Sequence, residues 1–402
     1  MSRCGSVYGR MHEALASSSR IARRAIKRLK GDGTMAKQTR KVFVLGGKSG
    51  SKGKTLKLLK GERVFVGLDV HKSTFTVALW SDKRDLVGGW SQPASYDTLI
   101  SKLSVIAPQI ARVVYEAGPT GYGLVRRLRE AKLPADVIAP SKVPEAPGRN
   151  QKCDRLDAKK LAEYACKDLL KSVCVPTVEE EADRQVLRTR EAVHKKLKRA
   201  KQQIKSFLLT HGLSEPDGLG TWAKRGVDAL HEMELSCELR FSLDSLLRDL
   251  EHQCEELKRV NDKIEELAEQ ERHREDVRIL RSMKGVVGVT TAMAFKTELY
   301  QASRFNTPDE VVAMVGFVPG VRQSGKTRRE GGILKTGNSH LRAVLVEAAW
   351  RWIRHDESAK ERFRRLCANT GDGKKAIVGV ARHLLGVLWR MLTRKEEYRA
   401  AA

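Results

Sequence analysis

The 402-residue chain carries 76 lysines and arginines against 49 acidic residues, a formal charge of +27 and a pI near 9.9. That excess goes far beyond what solubility needs and points to a phosphate-bearing partner. No run of about 18 apolar residues is present, so no membrane-spanning helix is predicted, and the length allows two or three domains with real cores. The seven cysteines (Cys4, Cys153, Cys166, Cys174, Cys237, Cys254 and Cys367) are scattered and never at CxxC spacing. They read as reduced thiols of a cytosolic protein, with neither a disulfide frame nor a zinc site.

Residues 1–60 hold sixteen Lys or Arg against two acids, with little to bury, and are expected to be a basic, disordered extension. Within it, Ile21–Lys30 has the pattern of a basic amphipathic helix, and Met35 offers an alternative start. Residues 61–172 read as an α/β domain. Arg63–Val70 is a nearly continuous apolar strand, joined through His71-Lys72-Ser73 to an alternating strand at Thr74–Trp80. Leu86–Ser91 follows as a third strand, Tyr96–Ile106 as a helix, Arg112–Glu116 as a buried strand, Gly121–Ala131 as a helix and Ala135–Ile138 as a strand. A hairpin meander followed by alternating strands and helices is the order of a ribonuclease-H-like domain. Its last helix, Arg155–Leu170, would bury Leu156, Ala158, Leu161, Ala162, Ala165 and Leu169.

Four acids fall at the ends of these elements. Asp69 closes the first strand, Glu116 closes Val113-Val114-Tyr115, and Asp154 and Asp157 open the last helix on one side of its first turn. Acids in a first helical turn are also an ordinary helix start, worth on the order of 1 kcal/mol without any metal. Glu116 is harder to explain that way, because a carboxylate ending a buried strand needs a partner. Together the four carboxylates describe a divalent-cation site, since groups gathered so closely repel one another unless a cation lies between them.

Residues 173–275 change character. Glu179–Leu209 and Leu243–Arg272 are charge-rich helices, the second carrying a heptad seam through Leu246, Leu250, Leu257, Val260, Ile264 and Leu267. With His211–Asp228 as the turn, the two either fold back on each other or pair with a second copy. Residues 276–402 begin with Ile279–Ala292, a helix, glycine turn and helix of helix-hairpin-helix type, in which Lys284, Gly285 and Gly288 are candidate phosphate contacts. After a helix at Pro308–Val315 comes a flexible basic loop, Val321–Gly332, with Arg322, Lys326, Arg328, Arg329 and then Lys335 as further phosphate contacts. Asn338 and its neighbours cap a helix at Leu341–Ile353, and a last helix spans Lys374–Leu392.

The motifs Gly67-Leu68-Asp69-Val70-His71-Lys72, Glu116-Ala117-Gly118-Pro119-Thr120-Gly121, Asp154-Arg155-Leu156-Asp157-Ala158, Gly316-Phe317-Val318-Pro319 and Gln323-Ser324-Gly325 resemble, in order and spacing, the DEDD transposases of the insertion-sequence-110 family. The resemblance runs from about residue 63 to 392. It implies a RuvC-type domain whose carboxylates Asp69, Glu116, Asp154 and Asp157 bind Mg²⁺ or Mn²⁺. It further implies a mostly helical transposase domain whose Ser324 attacks the DNA backbone to form a transient phosphoserine link. Family members act as homodimers or homotetramers with composite sites, and a structured bridge RNA pairs with target and donor DNA. A cytoplasmic, nucleoid-associated prokaryotic protein follows from the same resemblance. A metal-dependent Holliday-junction resolvase using water, and a non-enzymatic nucleic-acid scaffold, are the competing readings.

Overall fold

A computed structural model describes residues 40–44, 54–59, 61–144, 154–324, 327–334 and 336–400, with backbone alone at 40–44, 54–57, 321–324 and 327–330. Contacts divide the chain into two compact units, one up to Cys174 and one from Val175 onward. Ile21–Lys30 and Met35 lie outside the described residues. Arg40–Val44 (β1) pairs antiparallel with Lys54–Leu58 (β2), where the composition leads one to expect disorder. Both segments carry residues that favour strands, Val42-Phe43-Val44 on one and Leu56 and Leu58 on the other, and Val42 pairs with Leu56, which accounts for the difference.

The first unit is built on a five-stranded sheet. Val64–Val70 (β3), Thr74–Ser81 (β4) and Asp85–Pro93 (β5) form an antiparallel meander. Ile110–Glu116 (β6) then adds parallel to β3 and Ala135–Ile138 (β7) parallel to β6, so the spatial order is β5-β4-β3-β6-β7. Val64, Phe65, Val66 and Leu68 are buried on both faces of β3, which is why that strand reads as an unbroken apolar run. Helices Tyr96–Ser104 (α1) and Gly123–Glu130 (α2) follow β5 and β6, and the Tyr115 hydroxyl accepts from the Val125 amide of α2 at 3.2 Å.

Asp154–Cys166 (α3) covers the other face, packing Ala158, Leu161, Ala162 and Ala165 on Phe65, Ala78, Trp80 and Val114. It is shorter than expected. Asp168 takes a left-handed φ of 52° and ends the helical path, which leaves Leu169 51% exposed, while Leu156 in the first turn is 36% exposed. The expected apolar face therefore lacks its two outer leucines.

Gly67 sets the depth of this packing. A Cβ there would lie 2.1 Å from the Ala158 carbonyl oxygen and 2.5 Å from the Ala162 amide nitrogen, both backbone atoms of α3. Gly67→Ala must push the helix off the sheet, and we expect it to cost about 3 kcal/mol or more in a denaturant titration. An unchanged midpoint would show that α3 does not sit this close.

In the second unit, Val178–Thr210 (α4) opens with a capping box between Thr177 and Glu180. It runs antiparallel to Cys237–Ala268 (α6), with Leu197, Ile204 and Leu208 beside Leu243, Leu247 and Leu250 at one end and Leu187 beside Val260, Ile264 and Leu267 at the other. The pairing of these helices within one chain satisfies the heptad seam, whose buried line begins at Leu243 and Leu247 and leaves Leu246 half-exposed. The intervening turn is not all loop, because Lys224–Glu232 (α5) is helical and buries Leu230 between the long helices.

Glu271–Arg281 (α7), Val289–Leu299 (α8), Pro308–Val315 (α9), Ser339–His355 (α10), Glu357–Thr370 (α11) and Gly373–Arg394 (α12) share a core with the near ends of α4 and α6, across the residue-275 boundary drawn from the sequence. Among the described residues, α12 alone is long and apolar enough to cross a membrane, and nine of its side chains are buried in this core. The stretch read as a flexible loop is a β-ribbon. Pro319–Ser324 (β8) pairs antiparallel with Thr327–Ile333 (β9), placing Ser324 opposite Thr327. Its strands are too polar to show an apolar alternation, so only backbone pairing reveals them.

Candidate active site

The acid site is a consequence of strand register. Leu68 pairs with Tyr115 across the parallel β3–β6 ladder, so Asp69 and Glu116, one residue further on, end neighbouring strands at the same edge and on the same face. That face is the one α3 covers. Because α3 lies close over Gly67, its first turn delivers Asp154 and Asp157 to the same edge. The positive end of the helix dipole faces the carboxylates there.

The closest association involves a residue the acid pattern did not single out. The His71 Nε2 lies 3.2 Å from Asp69 Oδ2 and 3.6 Å from Asp154 Oδ1. Single ligand atoms of Asp69, His71 and Asp154 all fall within 4.8 Å of one another. The signal for His71 was its position two residues beyond Asp69, hence on the same side of the chain; its amide donates to the Thr74 carbonyl at 3.0 Å, closing the turn that holds it there. Burial raises the Asp69 pKa above its ordinary value. The charge of His71 opposes that rise, while those of Asp154 and Asp157 add to it. This is the electrostatic state that a cation relieves.

The remaining acids are placed less closely. Asp157 is half-buried one turn along α3, near enough for its charge to act on Asp69. Glu116 is half-buried on the adjacent strand and outside the three-residue group. The turn after it is tightly fixed: the Ala117 amide donates to the Ile138 carbonyl at 2.8 Å, and the Tyr115 hydroxyl donates to the Gly121 carbonyl at 3.4 Å. Burial, the largest influence, pushes the Tyr115 hydroxyl up to about 12, so it stays protonated and able to donate.

The donor set fits a hard divalent cation. Carboxylate oxygens suit Mg²⁺ and Mn²⁺ equally, and an imidazole among them favours Mn²⁺. Ser324 belongs to the second unit, at the end of β8, with Arg322 on the same strand and Arg328 and Arg329 on β9. Lys326 and Lys335 lie outside the described residues. Lys284, Gly285 and Gly288 are exposed in the turn between α7 and α8, where Gly285 has a φ of 73° and Gly288 is the N-cap of α8 with open space around it.

The profile described as the IS116/IS110/IS902 family of transposases matches residues 277–364, and a transposase profile of the DEDD IS110 type matches residues 66–212. A protein of Sinorhizobium fredii described as a transposase, y4qE, is 32% identical over 333 residues, covering 82% of each chain. The chain belongs to the IS116/IS110/IS902 transposase family. The transposase for insertion sequence element IS1533 of Leptospira borgpetersenii is 31% identical, spanning 72% of this chain and 85% of its own. That for element IS1111A of Coxiella burnetii is 27% identical, spanning 74% and 82%. All four acids of this transposase lie within the first matched segment and Ser324 within the second.

Proposed function

We propose that this transposase cuts and rejoins DNA through a transient serine–DNA link, with Asp69, Glu116, Asp154 and Asp157 holding Mg²⁺ or Mn²⁺ at the edge of a ribonuclease-H-like (RuvC-type) sheet. The observation that carries the reading is the meeting of Asp69 and Asp154, from a strand and a helix 85 positions apart, with their ligand atoms inside one 4.8 Å group. The strand order, with an antiparallel meander beside two parallel strands, supports the ribonuclease-H-like assignment. Bound there, the cation would stabilise charge on the transferring phosphoryl group and lower the pKa of an attacking hydroxyl. His71 sits where it can hold the two carboxylates in place.

Ser324 supplies the nucleophile. Its Oγ forms a bond to phosphorus as the bond from phosphorus to a deoxyribose oxygen breaks, and that oxygen leaves with a proton. The new link is again a phosphodiester, so reversal by another strand's hydroxyl rejoins DNA without an external energy source. The resolvase reading differs in one observable: water as nucleophile leaves no protein on the DNA. Incubating the protein with a plasmid carrying the element's ends and its flanking noncoding DNA, then looking for recombinants and covalent adducts, tests the proposal directly. We further propose guidance by a structured RNA, which the net charge of +27 suits; removal of the noncoding transcript should then end target choice.

Lys284, Arg322, Lys326, Arg328, Arg329 and Lys335, with the backbone at Gly285 and Gly288, are proposed to hold phosphates. Lys284→Ala should weaken binding alike for all DNA sequences and lower the slope of log K against log salt by about 0.9. A slope equal to that of the wild type would remove Lys284 from the interface.

A further inference from the structure

We propose that Glu298 is a positioning residue that fastens the Ser324 ribbon to the long helix α4, an inference that rests on the serine reading above. Glu298 is 2% exposed and lies on α8, at the centre of the helical unit. Two groups converge on its carboxylate. Arg188 of α4 donates through Nε at 3.1 Å to Oε1 and through Nη2 at 3.3 Å to Oε2, a two-point pairing that fixes direction as well as distance. Asn338, at the foot of the returning ribbon, donates through Nδ2 at 2.6 Å to Oε2.

Asn338 is engaged on every side. Its Oδ1 accepts from the Leu341 amide at 3.0 Å as the N-cap of α10, and its own amide donates to the Met314 carbonyl at 3.1 Å. The outgoing leg of the ribbon is held at the same level. The Leu334 amide donates to the Val318 carbonyl at 2.9 Å, and Arg342 Nη1 donates to the Val315 carbonyl at 2.7 Å. Gly316, with φ of 81°, brings the legs together so closely that a Cβ would lie 2.1 Å from the Thr336 carbonyl oxygen. A second link between α4 and α10 runs through Glu191 Oε2 and His340 Nδ1 at 2.7 Å.

The ribbon thus rises from a crossed base, and Glu298 is the buried group joining that base to α4. A carboxylate removed from water is costly unless fully hydrogen-bonded. An apolar residue would fill the same space, so its presence calls for a specific reason. Alignment of the serine supplies one, since displacement of a reacting group by about 1 Å costs on the order of 10²-fold in rate.

Asn338→Asp tests this, because an aspartate keeps the N-cap of α10 but sets a carboxylate against Glu298. Expected are faster hydrogen exchange at the amides of residues 319–333, unchanged DNA affinity by anisotropy, and strand-exchange turnover lower on the order of 10²-fold with an unchanged KM. The double variant Glu298→Gln/Asn338→Asp restores a donor and an acceptor in reversed order and should recover turnover to within about tenfold of wild type. A merely structural role would lower thermal stability without this recovery. Ribbon exchange equal to wild type in Asn338→Asp overturns the fastening, and faster exchange at unchanged turnover overturns its bearing on catalysis. Exchange is read without DNA, so a failure here is distinct from a failure of the serine reading, which would show as activity retained in Ser324→Ala.

Discussion

Ser324→Ala is expected to bind DNA with wild-type affinity, form no covalent protein–DNA adduct and lose strand exchange by about 10⁴-fold or more. Losses of that scale follow deletion of a nucleophile in covalent catalysts, because the remaining groups act only through the bond it makes. The wild-type adduct should survive denaturing electrophoresis and disappear on protease treatment. Binding should be unaffected because a hydroxyl at the end of β8 would add little to the phosphate contacts proposed for the cations of the ribbon and of the α7–α8 turn. Recombination at the wild-type rate in this variant would sink the covalent mechanism. Adduct-free cutting by both proteins would favour hydrolysis by water.

Asp69→Asn should impair catalysis through a different route, and its physical signature is visible without DNA. In the folded protein, burial raises the Asp69 pKa, with Asp154 and Asp157 adding to that rise. The folded state consequently holds its proton more tightly than the unfolded state, so without a cation this carboxyl costs stability increasingly as pH rises through and beyond its ordinary range. Asparagine keeps a hydrogen-bonding partner for His71 and removes the charge. The metal-free variant should therefore melt higher than the metal-free wild type at neutral pH. The order reverses with cation present: wild type gains about 1.4 kcal/mol at tenfold excess of Mn²⁺ over its Kd, and the variant gains little. Strand exchange in the variant falls on the order of 10³-fold. Equal Mn²⁺-induced shifts in the two proteins would show that Asp69 holds no metal.

Much of the acid site was legible because its positions depend on local rules. Asp69 and Glu116 end apolar runs, and such runs mark strands whatever the rest of the chain does. Asp154 and Asp157 open a helix whose small apolar residues face a sheet. His71 was passed over because its role depends on where a turn points the ring, and Gly67 because closeness to α3 is not a property of β3. In the second unit α11 and α5 went unread, and the β-ribbon looked like a loop, since it lacks the alternation that exposes a strand with one buried face. Glu298 was invisible for a related reason: its partners stand 110 and 40 residues away.

By itself, then, the sequence determined the chemistry available to this transposase: a polycation, four carboxylates at element ends, and a serine among basic residues. Those are properties of composition and of the two short repeats by which strands and helices bury apolar side chains. Tertiary structure alone decided which groups act together. The parallel register of β3 and β6 set two acids level, a glycine let α3 bring Asp154 within reach of Asp69 and of His71 in the turn after β3, and a buried carboxylate tied the serine's ribbon to a helix more than a hundred residues before it. Each of these depends on backbone approach and hydrogen bonds between residues far apart in the chain, for which a linear pattern carries no period.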